Sequence, residues 1–180
     1  GDLAVKLYKE DIEAALRTKD FGGFELLSLS DYTGQSTATV GILDVFYESK
    51  GLISSDEFKN FAGEAVPLFK AKRIFKNTDT LEAELDLYDF GEKKINNPVY
   101  KLTVQNGEQV FYKTSTTESK ASIPLNSITK STMLSVMLEV NGYKNTWRIF
   151  VFAENAHSKS HDGFRGKIPG FPFKFQRRFF

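Results

Sequence analysis

The sequence predicts an α+β chain: one β/α unit of a repeating fold, then an antiparallel, immunoglobulin-like β-sandwich. Three observations carry that expectation. Residues 24–29 are nearly apolar throughout and stand between two stretches with helical spacing, the pattern of a parallel strand covered on both faces. From residue 71 onward the apolar period changes from helical to alternating, the mark of strands with one wet face. Turn residues then recur between short alternating runs, as in a sandwich.

In chain order, residues 9–18 place Ile12, Ala15 and Leu16 at helical spacing, with Glu10, Asp11 and Glu13 in the expected first turn. Phe21, Gly22 and Gly23 lead into the strand at 24–29. A second helix is expected over residues 37–50, its apolar face made by Val40, Leu43, Phe46 and Tyr47, with Gly51 closing it. Ser54 and Glu57 have capping-box spacing and open a short third helix that Pro67 ends. Leu81, Ala83, Leu85 and Leu87 alternate with acids, and Tyr100, Leu102 and Val104 alternate likewise. Asn106-Gly107 predicts a hairpin turn to a return strand at 110–113. Residues 133–140 and 146–152 form another expected pair around a loop at 141–145. The division that follows is residues 1–70, a sandwich over 71–155 and a tail over 156–180.

Composition bounds function. The chain has 180 residues, 41% of them hydrophobic, and a net charge of +1, which argues against a dedicated nucleic-acid binder. There is no cysteine, so disulfides and thiolate metal sites are excluded while the compartment stays open. No apolar run approaches the roughly 18 residues that span a bilayer, and no signal-peptide pattern is present. The tail differs from the body. Past residue 158 it carries Lys159, Arg165, Lys167, Lys174, Arg177 and Arg178 against Asp162, together with six phenylalanines. Cations interleaved with rings can serve single-stranded nucleic acid or a membrane, but the expectation here is an atypical or disordered end with neither partner.

Residues 22–46, which include Gly22-Gly23-Phe24, Leu29-Ser30-Asp31-Tyr32-Thr33-Gly34-Gln35 and Gly41-Ile42-Leu43-Asp44, resemble the end of the catalytic barrel in β-galactosidase-like glycoside hydrolases of family two. The resemblance covers residues 2–70 well and 71–152 loosely, as the sandwich that follows the barrel. It implies that residues 1–70 are the C-terminal end of a (β/α)8 barrel and that the chain is the C-terminal piece of a larger enzyme. It implies a parent that hydrolyses β-linked sugars, in the periplasm or outside the cell. The two catalytic glutamates of such enzymes lie earlier in the sequence, so this chain is expected to be inactive by itself. No cofactor is expected.

Glycoside hydrolysis uses two carboxyl groups across the scissile bond. Barrel chemistry occurs at the C-terminal ends of the strands, which puts Asp31 on the correct side and Glu25 on the wrong one. Asp31, Tyr32 and Gln35 are therefore the candidate substrate-binding residues: an acceptor for sugar hydroxyls, a stacking face with a hydroxyl, and an amide that donates and accepts. Two readings stand open at this stage, direct contact with sugar, or Asp31 and Thr37 capping the next helix while Tyr32 packs on a rim. Asp44 reads as a helix-packing or solvated residue. Trp147 reads as core. His157 and His161 have zinc spacing only in a helix, and no metal is expected. A strand at 24–29 without neighbours would expose an edge, so self-association through it is also expected. The rival from another class is a non-catalytic carbohydrate- or protein-binding sandwich module.

Overall fold

The computed structural model describes residues 1–34 and 39–154. Expectations about Gln35, Thr37, His157, His161 and the basic tail lie outside the described residues. Helix α1 (Asp2–Arg17) starts well before the segment that sequence spacing marked, with Asp2 in its first turn and Arg17 in its last, as the helix dipole favours. It buries Ile12, Glu13 and Leu16. Thr18 ends it with extended backbone, its hydroxyl donating to the Ala14 carbonyl at 2.9 Å. Helix α2 (Ser55–Ala62) opens with the expected capping box: the Glu57 N–H donates to the Ser54 hydroxyl at 3.2 Å and the Ser54 N–H to the Glu57 carboxylate at 3.0 Å.

The stretch between these helices corrects the predicted fold class. Residues 24–29 form no strand, and residues 39–50 form no helix. Among the described residues, the end of a (β/α)8 barrel expected over residues 1–70 is absent. What replaces it is an irregular excursion closed by a few backbone bonds. Ile42 and Leu43 N–H groups both donate to the Leu29 carbonyl, at 2.9 and 3.0 Å, and the Asp31 N–H donates to the Leu43 carbonyl at 3.0 Å. Helix formation in the second half is pre-empted locally. The Asp44 carboxylate accepts from the Phe46 and Glu48 N–H groups at 2.8 and 2.9 Å, a turn that competes with helical bonding, and Tyr47 has φ 63°. Gly41 permits a close backbone approach in the loop, because a Cβ there would strike the backbone of Ser30 and Asp31.

Eight strands follow: β1 (Ala65–Lys70), β2 (Ile74–Lys76), β3 (Thr80–Asp89), β4 (Tyr100–Asn106), β5 (Gln109–Thr116), β6 (Lys120–Pro124), β7 (Thr132–Val140) and β8 (Tyr143–Phe152). They build a three-stranded sheet ordered β1-β3-β6 and a five-stranded sheet ordered β2-β8-β7-β4-β5. All pairings are antiparallel except β2 with β8. The sheets enclose one core that includes Phe69, Leu81, Leu85 and Ile123 from the first and Leu102, Val104, Leu134, Val136, Leu138, Trp147 and Ile149 from the second. This is a β-sandwich, and its first sheet reaches back to Ala65, ahead of the boundary expected near residue 70. Pro67 lies within β1, paired with Leu87, where an edge strand tolerates it.

Hairpin turns set the registers. Asn106 pairs with Gln109, so the β4–β5 turn is Gly107-Glu108, one residue later than the sequence indicated, with Gly107 at φ +58°. Val140 pairs with Tyr143 across Asn141-Gly142, both at positive φ, as a two-residue turn with two left-handed positions requires. The helices pack on one corner of the sandwich. Ile12, Leu16 and Phe61 form a satellite core with Val66 and Leu68 of β1.

Candidate functional site

Of the sequence-predicted site residues, Asp31 and Tyr32 are described. Asp31 is a clasp within its own loop. Its carboxylate accepts from Lys50 Nζ at 2.9 and 3.0 Å and from the Gly41 N–H at 2.9 Å. The same ammonium donates to the Gly41 carbonyl at 3.1 Å and the Thr39 carbonyl at 3.3 Å. The Lys50 side chain, and then the Gly41 N–H, hold the Asp31 carboxyl below the usual carboxylate range. Asp31 thus joins the two ends of the loop, and Lys50, which sequence reasoning passed over, is its partner. Tyr32 is 63% exposed, with its ring turned back over Gly34. Asp44 is spent on the turn described above. Glu25 is exposed, as are Phe24, Leu27 and Leu29, while Leu26 is half-buried.

The densest polar cluster is elsewhere, at the seam where α1 crosses β8 and β1. Glu13 is fully buried, 0% exposed, and one carboxylate serves four donors. Its Oε2 accepts from the Trp147 indole N–H at 2.8 Å and from Arg17 at 3.1 Å. Its Oε1 accepts from Asn145 Nδ2 at 2.8 Å and from the Lys9 ammonium. Lys9 also donates to Asn145 Oδ1 at 2.6 Å and lies over the Trp147 ring at 4.9 Å. Asn145 Nδ2 donates further to the Pro67 carbonyl at 3.1 Å, which ties both sheets to the helix. Burial pulls the Lys9 ammonium below the usual lysine range, while the adjacent Glu13 opposes that shift.

Sequence reading put Glu13 in the first turn, where the helix dipole favours acids, because it started the helix too late. The signal was present. Lys9, Ile12, Glu13 and Leu16 follow helical i, i+3, i+4, i+7 spacing, so Glu13 shares the apolar stripe. Asn145, assigned to a loop, is a buried residue of β8. The cluster is a docking device: its donors and acceptors are saturated by one another, which leaves little for chemistry on a substrate. Among the described residues, no group of three or more His, Cys, Asp or Glu is placed to hold a metal ion.

Comparison with known proteins adds little that bears on activity. The model of a domain of unknown function, DUF8488, matches residues 79–153, the sandwich from just before β3 to the end of β8. No curated protein matches the chain. Among solved structures, the sulfur carrier protein SoxY from Chlorobium limicola f thiosulfatophilum is similar at a TM-score of 0.29 and 10% identity, over 49% of this chain and 79% of that one. That score is too low to indicate a shared fold.

Proposed function

We propose that this chain is a non-catalytic portion of a glycoside hydrolase acting on β-linked sugars, its sandwich and helices holding the segment over residues 18–51 against a catalytic unit. One observation carries the reading. The segment with the glycosidase resemblance leaves many of its large apolar side chains in solvent. Leu27 is 94%, Phe46 78% and Tyr47 71% exposed, and Phe21, Phe24, Leu29 and Val40 are exposed with them. Solitary soluble domains seldom expose such a concentration, and its presence marks a contact surface. The clasp of Asp31 on Lys50 and the burial of Ile42 hold the segment in a defined shape while its apolar residues face outward. In the assembled enzyme Tyr32, with Gln35 beside it in sequence, would meet the sugar, and Asp31 would shape the loop that presents them.

The two carboxyl groups that hydrolysis needs, about 5–5.5 Å apart in retaining enzymes, would come from the catalytic unit. The chain alone is expected to release no nitrophenol from aryl β-galactosides or β-glucosides. The coding DNA upstream of Gly1 tests the reading directly. An in-frame region with two catalytic glutamates supports it. An initiator immediately upstream, with no such frame, overturns it in favour of a free-standing binding module.

A further inference from the structure

Beside the Glu13 cluster, between α1 and the five-stranded sheet, lies a cleft of about 560 Å³. One wall is α1, through Lys6, Lys9 and Glu10; the other is the outer face of the five-stranded sheet, through Ser135, Thr146, Arg148 and Phe150. Arg73 closes the end, its carbonyl accepting from the Phe150 N–H at 2.8 Å. The placement follows from periodicity. Lys6, Lys9 and Glu10 share a helix face at i, i+3, i+4 spacing, while Thr146, Arg148 and Phe150 alternate to one face of β8, with Ser135 paired to Arg148 on β7.

Four cations meet here and are only partly balanced. Lys9 is engaged by Glu13, and Arg73 Nη2 by Glu10 at 3.2 Å. Among the described residues, Lys6 and Arg148 make no ion pair, and Arg73 Nη1 is buried with no hydrogen-bond partner. A buried guanidinium nitrogen without an acceptor is an unmet demand for an oxyanion or water. Around it stand two hydroxyls, Ser135 and Thr146, and the half-exposed ring of Phe150, which with Ile74 and Met133 forms an apolar shelf across three neighbouring strands.

We infer that this cleft binds an anionic saccharide, its carboxylate or sulfate held by Arg73, Arg148 and Lys6 and its apolar ring face laid on Phe150. Arginine forks suit both oxyanions, in which two oxygens can accept in parallel. The hydroxyls of Ser135 and Thr146 complete the recognition of sugar hydroxyls. This site is separate from the Asp31 loop and does not depend on the glycosidase reading.

Trp147 is the single tryptophan and borders the cleft, so its fluorescence reports occupancy. The full chain is titrated with tetragalacturonate, a sulfated galactan tetrasaccharide and neutral cellotetraose. Saturable binding of an acidic sugar, at least about tenfold tighter than the neutral one, is expected, and whichever acidic sugar binds identifies carboxylate or sulfate as the group read. Arg148→Ala, on an exposed side chain, should weaken binding roughly tenfold or more with an unchanged melting temperature. Phe150→Ala should weaken it less and Lys6→Glu as much as Arg148→Ala. Equal affinity for the neutral sugar, no binding of either acid at millimolar concentration, or binding indifferent to Arg148→Ala and Lys6→Glu would each overturn the inference.

Discussion

A single carboxylate, Glu13, holds together more of this molecule than any other polar residue. Removing it strands donors from two elements, since Trp147, Asn145, Lys9 and Arg17 all point at its oxygens. Glu13→Ala is expected to cost about 3–5 kcal/mol, the range for breaking a buried ion pair from one side. Urea unfolding at neutral pH measures it, and a loss below about 1 kcal/mol would show that water replaces the carboxylate without penalty. Other acids set the response to pH. Asp31 is held below the ordinary carboxylate range by Lys50, Asp89 by the Ile95 and then the Gly91 N–H, Glu57 by Ser54, and Glu139 by Lys101. A carboxylate depressed in the folded state contributes stability that is complete above its unfolded value, about 4, and disappears as pH falls through the folded one. The contribution of these carboxylates should therefore stay level above about pH 5 and decline steadily below about 4. Denaturant curves at several pH values check this, and greater stability at pH 3 than at pH 6 would contradict it.

At the scale of elements, strands with a partner on both sides were legible from their own period, and the edge strand β5 was legible through the turn that precedes it. The alternating runs that became β3, β4, β7 and β8 lie inside sheets or carry a full core face, and their period was readable. The strands missed, β1, β2 and β6, are all sheet edges. Strand β1 is buried on both faces and so shows no alternation, and as an edge strand it tolerates Pro67, so the residue read as a stop was part of a strand. The opposite error arose over residues 18–51. Apolar density over residues 24–29 was read as a parallel strand covered on both faces in a larger parent, whereas the segment forms no strand and exposes Phe24, Leu27 and Leu29. Asp31 was singled out because it stands just past the expected strand, on the side where barrel chemistry occurs; its partner Lys50 sits nineteen residues away and left no local mark. Leu27→Lys tests what the exposed segment is for. With its side chain in solvent, the substitution should change stability by less than about 0.5 kcal/mol. Under the proposed function it should weaken association with the catalytic unit, read by co-purification of the two. A large loss of stability would mean that Leu27 is buried in solution.

For the whole molecule, the division of labour is between a sandwich with its own core and an appendage attached at one corner. The cut at residue 71 suggested by periodicity is in the wrong place for an autonomous unit. It removes β1, and with it Phe69, whose ring packs on Trp147 at a centroid distance of 5.3 Å. Losing a buried Phe side chain alone typically costs about 3–5 kcal/mol, a large part of a small domain's stability. A chain of residues 54–154 should melt cooperatively and one of residues 71–154 should not. Calorimetry of both distinguishes them, and equal cooperativity would show that β1 is dispensable. In the intact chain, amide exchange should be slowest in β7, which has neighbours on both sides, and fast over residues 18–51, where few backbone bonds exist.

Strand β8 has a consequence of its own. Strand β2 pairs with it only from Phe150 to Phe152, so residues 143–149 have β7 on one flank and no strand on the other. Beside this stretch, Glu13 of α1 and the Pro67 carbonyl of β1 accept hydrogen bonds from the inward-facing Asn145 and Trp147 side chains of β8. Such a rim is a template on which a second chain could build fibrils or exchange a strand. Helix α1 is then a guard against aggregation, and the carboxylate that docks it is the latch of that guard. Glu13→Ala should for this reason do more than lower the melting point: gentle warming below the main transition should yield thioflavin-positive assemblies that the parent chain forms only after it unfolds. If the variant stays monomeric up to its melting point, the rim is protected by something other than the helix.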